Sequence, residues 1–138
     1  MSNSKDNPTL RRQLDRAIRL NRDGHSAEAA KILRALAKTS PDSAAVHGYL
    51  GGIHLDRERF ADAARSFRAA VRLAPTSELA SLGLFHSLWA LGDKAGALAE
   101  MGRFLARRES REYRTLIKEL HLTPIVEVRQ TPPAALAS

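Results

Sequence analysis

A period of 34 residues constrains this chain more than any other feature. The stretch 44–75 reads AAVHGYLGGIHLDRERFADAARSFRAAVRLAP, two apolar-periodic runs broken by the charged turn Asp56-Arg57-Glu58-Arg59. Shifted by one period, the same skeleton returns on either side. Ala29, Ala63 and Ala97 fall in register, as do Leu33, Phe67 and Met101, and Leu36, Ala70 and Phe104. Leu20, His54 and Leu88 follow, Pro41 and Pro75 mark equal junctions, and Gly24 and Gly92 flank Glu58 at one turn position. Apolar residues every three to four positions mark amphipathic helices. A two-helix unit that repeats at fixed spacing buries its apolar faces by stacking on its neighbours. The pattern therefore predicts an all-α chain, an α-solenoid of three helix-turn-helix hairpins. Gly51 and Ala63 are small where the two helices of the middle hairpin are expected to cross.

The expected domain covers 9–121, with repeats at about 10–43, 44–77 and 78–109 and a seventh, capping helix in 110–120. Residues 1–8 are polar, contain Pro8 and are read as a flexible lead. Thr9 is the expected N-cap of the first helix (to about 22) and Ser26 that of the second (to about 38). Residues 44–55, 60–73, 78–91 and 94–107 give the next four helices. Ser110 is expected to cap the last, in which Tyr113, Leu116, Ile117 and Leu120 form one apolar face. Arg12, Arg16 and Arg19, spaced four and three apart, share a face that would pack on a preceding hairpin in an internal repeat. In the first repeat such a charged stripe suits a solenoid cap. The tail 122–138 loses the period, and Pro124, Pro132 and Pro133 exclude a long helix there. Its segment Ile125-Val126-Glu127-Val128 is expected to be extended, with the option of folding into a groove.

Composition removes several chemistries. With no cysteine among 138 residues there is no disulfide and no thiolate metal site or nucleophile. No stretch has the length and apolarity of a membrane span or a signal peptide, so a soluble, cytoplasmic protein is expected. The formal charge of +7 invites a nucleic-acid reading. The nine Lys/Arg against five acids in 1–43 fall to four against four in 78–109, and no DNA-binding helix-turn-helix signature or zinc-finger pattern accompanies them. Solvated helix faces account for them better, and direct nucleic-acid binding is disfavoured. The preference for Arg over Lys, with abundant Ala, fits a GC-rich bacterial source. His47 and His54 share a helical face without a carboxylate at metal-site spacing, so packing is the favoured reading for both. His86-Ser87 is no triad, because neighbours on a helix point apart. Gly24-His25-Ser26-Ala27-Glu28 lacks the second glycine and the strand of a nucleophile elbow. Gly48, Gly51 and Gly52 sit inside a helix and form no phosphate loop. No catalytic residue, metal ligand or cofactor site is expected.

The period and the residues at its fixed positions (Leu50, Gly51, Ala63, Phe67, Ala70 and Pro75 in the middle copy) resemble the tetratricopeptide repeat family. The resemblance covers about residues 10–109, and the seventh helix matches the family's usual capping helix. It departs at His47 and His54, where Trp and Tyr are common, which is expected to loosen the middle repeat. Gln13 and Arg16 stand at positions usually apolar. The resemblance implies that the first helices of the hairpins line a concave groove. Arg11, Leu14, Ile18, Asn21 and Arg22 would come from the first helix. Ala45, Gly48, Tyr49, Gly52, Leu55 and Asp56 would come from the third, and Leu79, Leu82, Gly83, His86, Trp89 and Ala90 from the fifth. One branch of the family grips acidic C-termini of heat-shock chaperones with a clamp of Lys, Asn and Arg. The corresponding positions here hold Leu14, Ile18, Tyr49, Leu79 and Gly83, so that activity is not expected.

The implied function is protein–protein interaction: a non-catalytic adaptor or scaffold that takes an apolar helix or extended segment, or an acidic one, of another protein or peptide. Its partner-binding residues would be Arg11, Leu14, Ile18, Arg22, Tyr49, Gly52, Leu55, Leu82, His86 and Trp89. Trp89 has a competing reading, packing against the seventh helix. Gly51-Gly52 costs on the order of 1 kcal/mol each against Ala, which argues for a packing or backbone-access reason. Alternatives are a secretion-type chaperone that shields an apolar client segment, a nucleic-acid-associated accessory protein, and self-association through an uncovered end of the stack.

Overall fold

A computed structural model describes residues 7–122 as seven α-helices. These are α1 (Pro8–Arg22), α2 (Ser26–Thr39), α3 (Ala44–Asp56), α4 (Phe60–Leu73), α5 (Glu78–Ala90), α6 (Lys94–Leu105) and α7 (Arg111–Leu120). The expectations for 1–6 and for the tail from 123 onward lie outside the described residues. Each hairpin pairs consecutive helices: α1 with α2, α3 with α4, α5 with α6. Each second helix also packs on the next first helix, α2 on α3 and α4 on α5, while α1, α3 and α5 touch in succession.

The repeat is visible in the backbone as well as the side chains. All three hairpin turns place one residue in the left-handed region at the same register position: Gly24 at φ 90°, Glu58 at φ 58° and Gly92 at φ 85°. The residue after each donates its N–H back across the turn, to Leu20, His54 and Leu88 carbonyls at 2.8, 2.8 and 2.9 Å. That closure satisfies helix-end carbonyls as a Schellman-type cap does. It also makes His25, not Ser26, the residue before α2; the His25 side chain accepts no capping hydrogen bond, and Ser26 is already helical. The first helices begin with side-chain caps. Ser43, Ser77 and Ser110 Oγ accept from Val46, Ala80 and Tyr113 N–H at 3.3, 3.2 and 3.1 Å. The expected cap at Thr9 is corrected: Asn7 Oδ1 accepts from Thr9 and Leu10 N–H at 2.9 and 3.4 Å. Pro8 occupies the first helical position, where its missing N–H costs nothing. Asn7 and Pro8 thus belong to the helix rather than to a lead.

One ring joins the middle of the stack. Phe67 of α4 is 4% exposed and lies between α3 and α5 at two glycines. A Cβ on Gly51 would stand 2.9 Å from the ring, and one on Gly83 would run into it. This is the packing reason for Gly51. Gly52 has open space around it and no such reason. It also corrects Gly83, which is buried under Phe67 instead of lining a groove. The buried side chains form two clusters. The first runs from Leu10 and Ala17 through Ala29, Leu33 and Leu36 to Val46, Leu50 and Ile53. The second holds Ala63, Phe67, Leu84, Phe85, Met101, Phe104 and Tyr113.

Candidate partner-binding face

The second helices pack on α1, α3 and α5, and the residues singled out in the sequence, Gly83 apart, keep exposed surface on these three helices. Arg11, Leu14, Ile18 and Arg22 recur at helical spacing on α1, Tyr49, Gly52 and Leu55 on α3, and Leu82, His86 and Trp89 on α5. None of the ten is buried. Arg11, Arg22, Tyr49 and His86 are exposed and the other six half-buried. Because the first helices touch in succession, these residues lie on three adjacent helices. Leu14 leans on the first core cluster, and Leu55, Leu82 and Trp89 lean on the second. Tyr49 is 43% exposed and Leu79 is 74% exposed.

Trp89 stacks on Phe85, with ring centroids 5.6 Å apart and planes at 19°. Phe85 in turn meets Tyr113 of α7 edge-on at 5.7 Å, so Trp89 is tied to the seventh helix through Phe85. The Lys94 ammonium sits 5.3 Å from the Trp89 ring centroid, a cation–π contact worth about 0.5–1 kcal/mol at an exposed site. His86 keeps an exposed edge while Phe85 abuts its ring, and desolvation by burial holds its pKa below the usual 6.5. It is therefore neutral at pH 7 and adds no charge to this face.

Of the other histidines, His47 Nε2 lies 3.0 Å from the Pro41 carbonyl and fastens the junction before α3. His54 is 7% exposed and its Nδ1 has no hydrogen-bond partner. Desolvation lowers its pKa most; Asp62 opposes this, and Arg34, Arg59 and Arg57 add to it. Among the described residues no three of His, Asp and Glu come together as a metal site, and no helix is long and apolar enough to cross a membrane.

Sequence reasoning missed a buried polar chain behind this face. Ser81 Oγ donates to Glu100 Oε2 at 2.6 Å, which leaves the Tyr113 hydroxyl, 2.7 Å away, to donate to Ser81. Arg103 grips Glu100 through Nε and Nη2 at 2.8 and 2.6 Å and reaches the Pro75 carbonyl through Nη1 at 3.0 Å. Ser81 and Tyr113 have no exposed surface and Glu100 has 7%. Burial first, with the nearby Glu100 carboxylate adding, pushes the Tyr113 hydroxyl pKa well up, so it stays a donor. The hydrogen bonds from Arg103 are of the charge-assisted, forked kind, the stronger class. With the Ser81 and Tyr113 bonds they tie α5, α6, α7 and the Pro75 junction together. The available signal was Glu100 beside Met101 on the apolar face of α6, three residues from an Arg.

Antiparallel helix pairs stacked in register, with a partly exposed stripe along their first helices, define a helical-repeat protein. The tetratricopeptide repeat model matches residues 14–78, which supports a tetratricopeptide repeat protein. Repeats of this family generally mediate protein–protein interactions and are typically non-catalytic. A comparison with curated proteins found no match.

Proposed function

We propose that this chain is a non-catalytic cytoplasmic adaptor that holds a segment of another protein along the shared face of α1, α3 and α5. The observation that carries this reading is the exposure of Tyr49 and Leu79, 43% and 74%, beside the half-buried Leu55, Leu82 and Trp89. An exposed aromatic flanked by apolar residues is the kind of anchor that dominates binding energy at interfaces. The stripe suits an amphipathic helix or an extended apolar segment. Exposed Arg11 and Arg22 favour acidic residues where that segment passes α1, and would act on association rate more than on affinity.

The test is capture of partners from source-cell lysate by wild type and by the Tyr49→Ala/Leu79→Ala variant, identified by mass spectrometry. Both residues are exposed, so the variant should keep native helicity. A protein retained by wild type and lost by the variant supports the face; equal retention rejects it.

A further inference from the structure

The same three register positions carry each joint onto the preceding hairpin, and α1 holds them without one among the described residues. On α3 they are Val46, Leu50 and Ile53, exposed by 0%, 6% and 2% and packed with α2. On α5 they are Ala80, Leu84 and Ser87, exposed by 4%, 4% and 0%. Counted from its serine cap, α7 presents Tyr113, Ile117 and Leu120 there, and the first two pack on the second core. On α1 the equivalents are Arg12, Arg16 and Arg19, all exposed. None of the three forms an ion pair among the described residues; Arg12 has only a long 3.5 Å contact to Thr9 Oγ1. With Gln13 and Asp15 they line a depression of about 320 Å³.

We infer that this end of α1 docks an acidic helix of another protein, seated where α2 and α4 sit against the next hairpins. The berth is helix-shaped because the fold fills the same register with a helix at each later joint. Its chemistry is changed from apolar to cationic, so a further hairpin of this chain's own kind does not fit. Arg12 to Arg19 span about 10 Å of helix at 1.5 Å per residue, the span of carboxylates spaced four and three apart on a docked helix. Each guanidinium presents a planar fork that matches a carboxylate. Asp15 lies within the face, which favours discrete carboxylates that can avoid it over the uniform charge of a nucleic-acid backbone.

The experiment uses the full chain and a fluorescent helical peptide bearing Glu at positions spaced four and three apart, beside its Gln twin. The expected result is saturable binding of the Glu peptide, at least about tenfold weaker for the Gln twin and weakening as salt rises. Arg12→Glu/Arg16→Glu/Arg19→Glu should weaken it by more than about tenfold, since each contact turns repulsive. Arg65→Glu/Arg68→Glu/Arg72→Glu makes the same charge change on exposed positions of α4 and should keep affinity within about twofold if position rather than net charge decides. No binding of the Glu peptide, equal binding of the Gln twin, or equal loss in the α4 variant overturns the inference. So does an oligonucleotide that displaces the peptide and itself needs Arg12, Arg16 and Arg19. Loss of the peptide in Tyr49→Ala would place it on the proposed adaptor face and overturn this inference alone. Lysate capture insensitive to Tyr49 and Leu79 would reject the adaptor face and leave this one standing.

Discussion

The two cores of this stack solve one packing problem in different ways. The first, from Leu10 to Ile53, is built of Ala, Leu and Val with one Ile, side chains that form no hydrogen bonds. The second holds Phe67, Phe85, Phe104 and Tyr113 and wraps the Tyr113–Ser81–Glu100–Arg103 chain. An aliphatic core gains from burial wherever shapes fit, whereas a buried polar chain is favourable only when every member finds its partner. The first half is thus held by shape and the second by shape and stereochemistry together. The difference teaches that a constant register does not require constant chemistry.

The comparison breaks most sharply at the ring between the cores. Phe67→Ala should cost about 3–5 kcal/mol by calorimetry or denaturant titration, since a buried ring is lost and a cavity left. Loss of a single transition, with the two halves melting separately, would show that Phe67 couples them. Within the second core, Glu100→Ala leaves the Ser81 hydroxyl without its acceptor. It should destabilise by about 2 kcal/mol, and Tyr113→Phe by about 1 kcal/mol. If Tyr113→Phe costs nothing, the polar chain is ornament and the halves are alike after all. In the turns, Glu58→Gly should stabilise by about 1 kcal/mol, because Glu58 alone holds a left-handed conformation with a Cβ where Gly24 and Gly92 have none.

The smallest effect is one of pH. The folded-state pKa of His54 lies below its ordinary 6.5, so the unfolded chain binds more protons between the two values. The stabilisation is present above 6.5 and is lost as pH falls through the folded value. Melting temperature should therefore drop on acidification from pH 7.5. His54→Phe should flatten that drop more than His86→Phe, because the His54 ring is the more deeply buried by surface exposure. An equal response from both would remove any special place for the bare His54 Nδ1.

Most of the architecture was legible in the sequence because its cause is periodic. Phe67 and Gly51 stand at fixed positions of the repeat, and α4 and α7 fall where the spacing put them. The caps at Thr9 and Ser26 were misplaced because capping is decided by backbone closure: Asn7 lies before a proline, and the Gly24 turn leads straight into α2. Gly83 read as groove because its register position faces the groove in the family, yet the neighbouring Phe67 fills the space that its missing side chain leaves. The polar chain escaped notice because Ser81 and Tyr113 lie on different helices, and a single sequence gives no sign that they meet. The residues of the proposed binding face are a pattern of exposure along α1, α3 and α5. A repeat fixes that exposure without saying what should cover it.

The ring of Phe67 between two glycines also has a consequence for how this sequence can change. Three positions on three helices are locked into one unit of inheritance. A methyl group at Gly51 or Gly83 is tolerable only after residue 67 has become smaller, and a smaller residue 67 is costly until one glycine has grown. Single steps in either order cross a valley. Paired changes such as Gly83→Ala with Phe67→Leu are the routes by which the middle of the stack can drift.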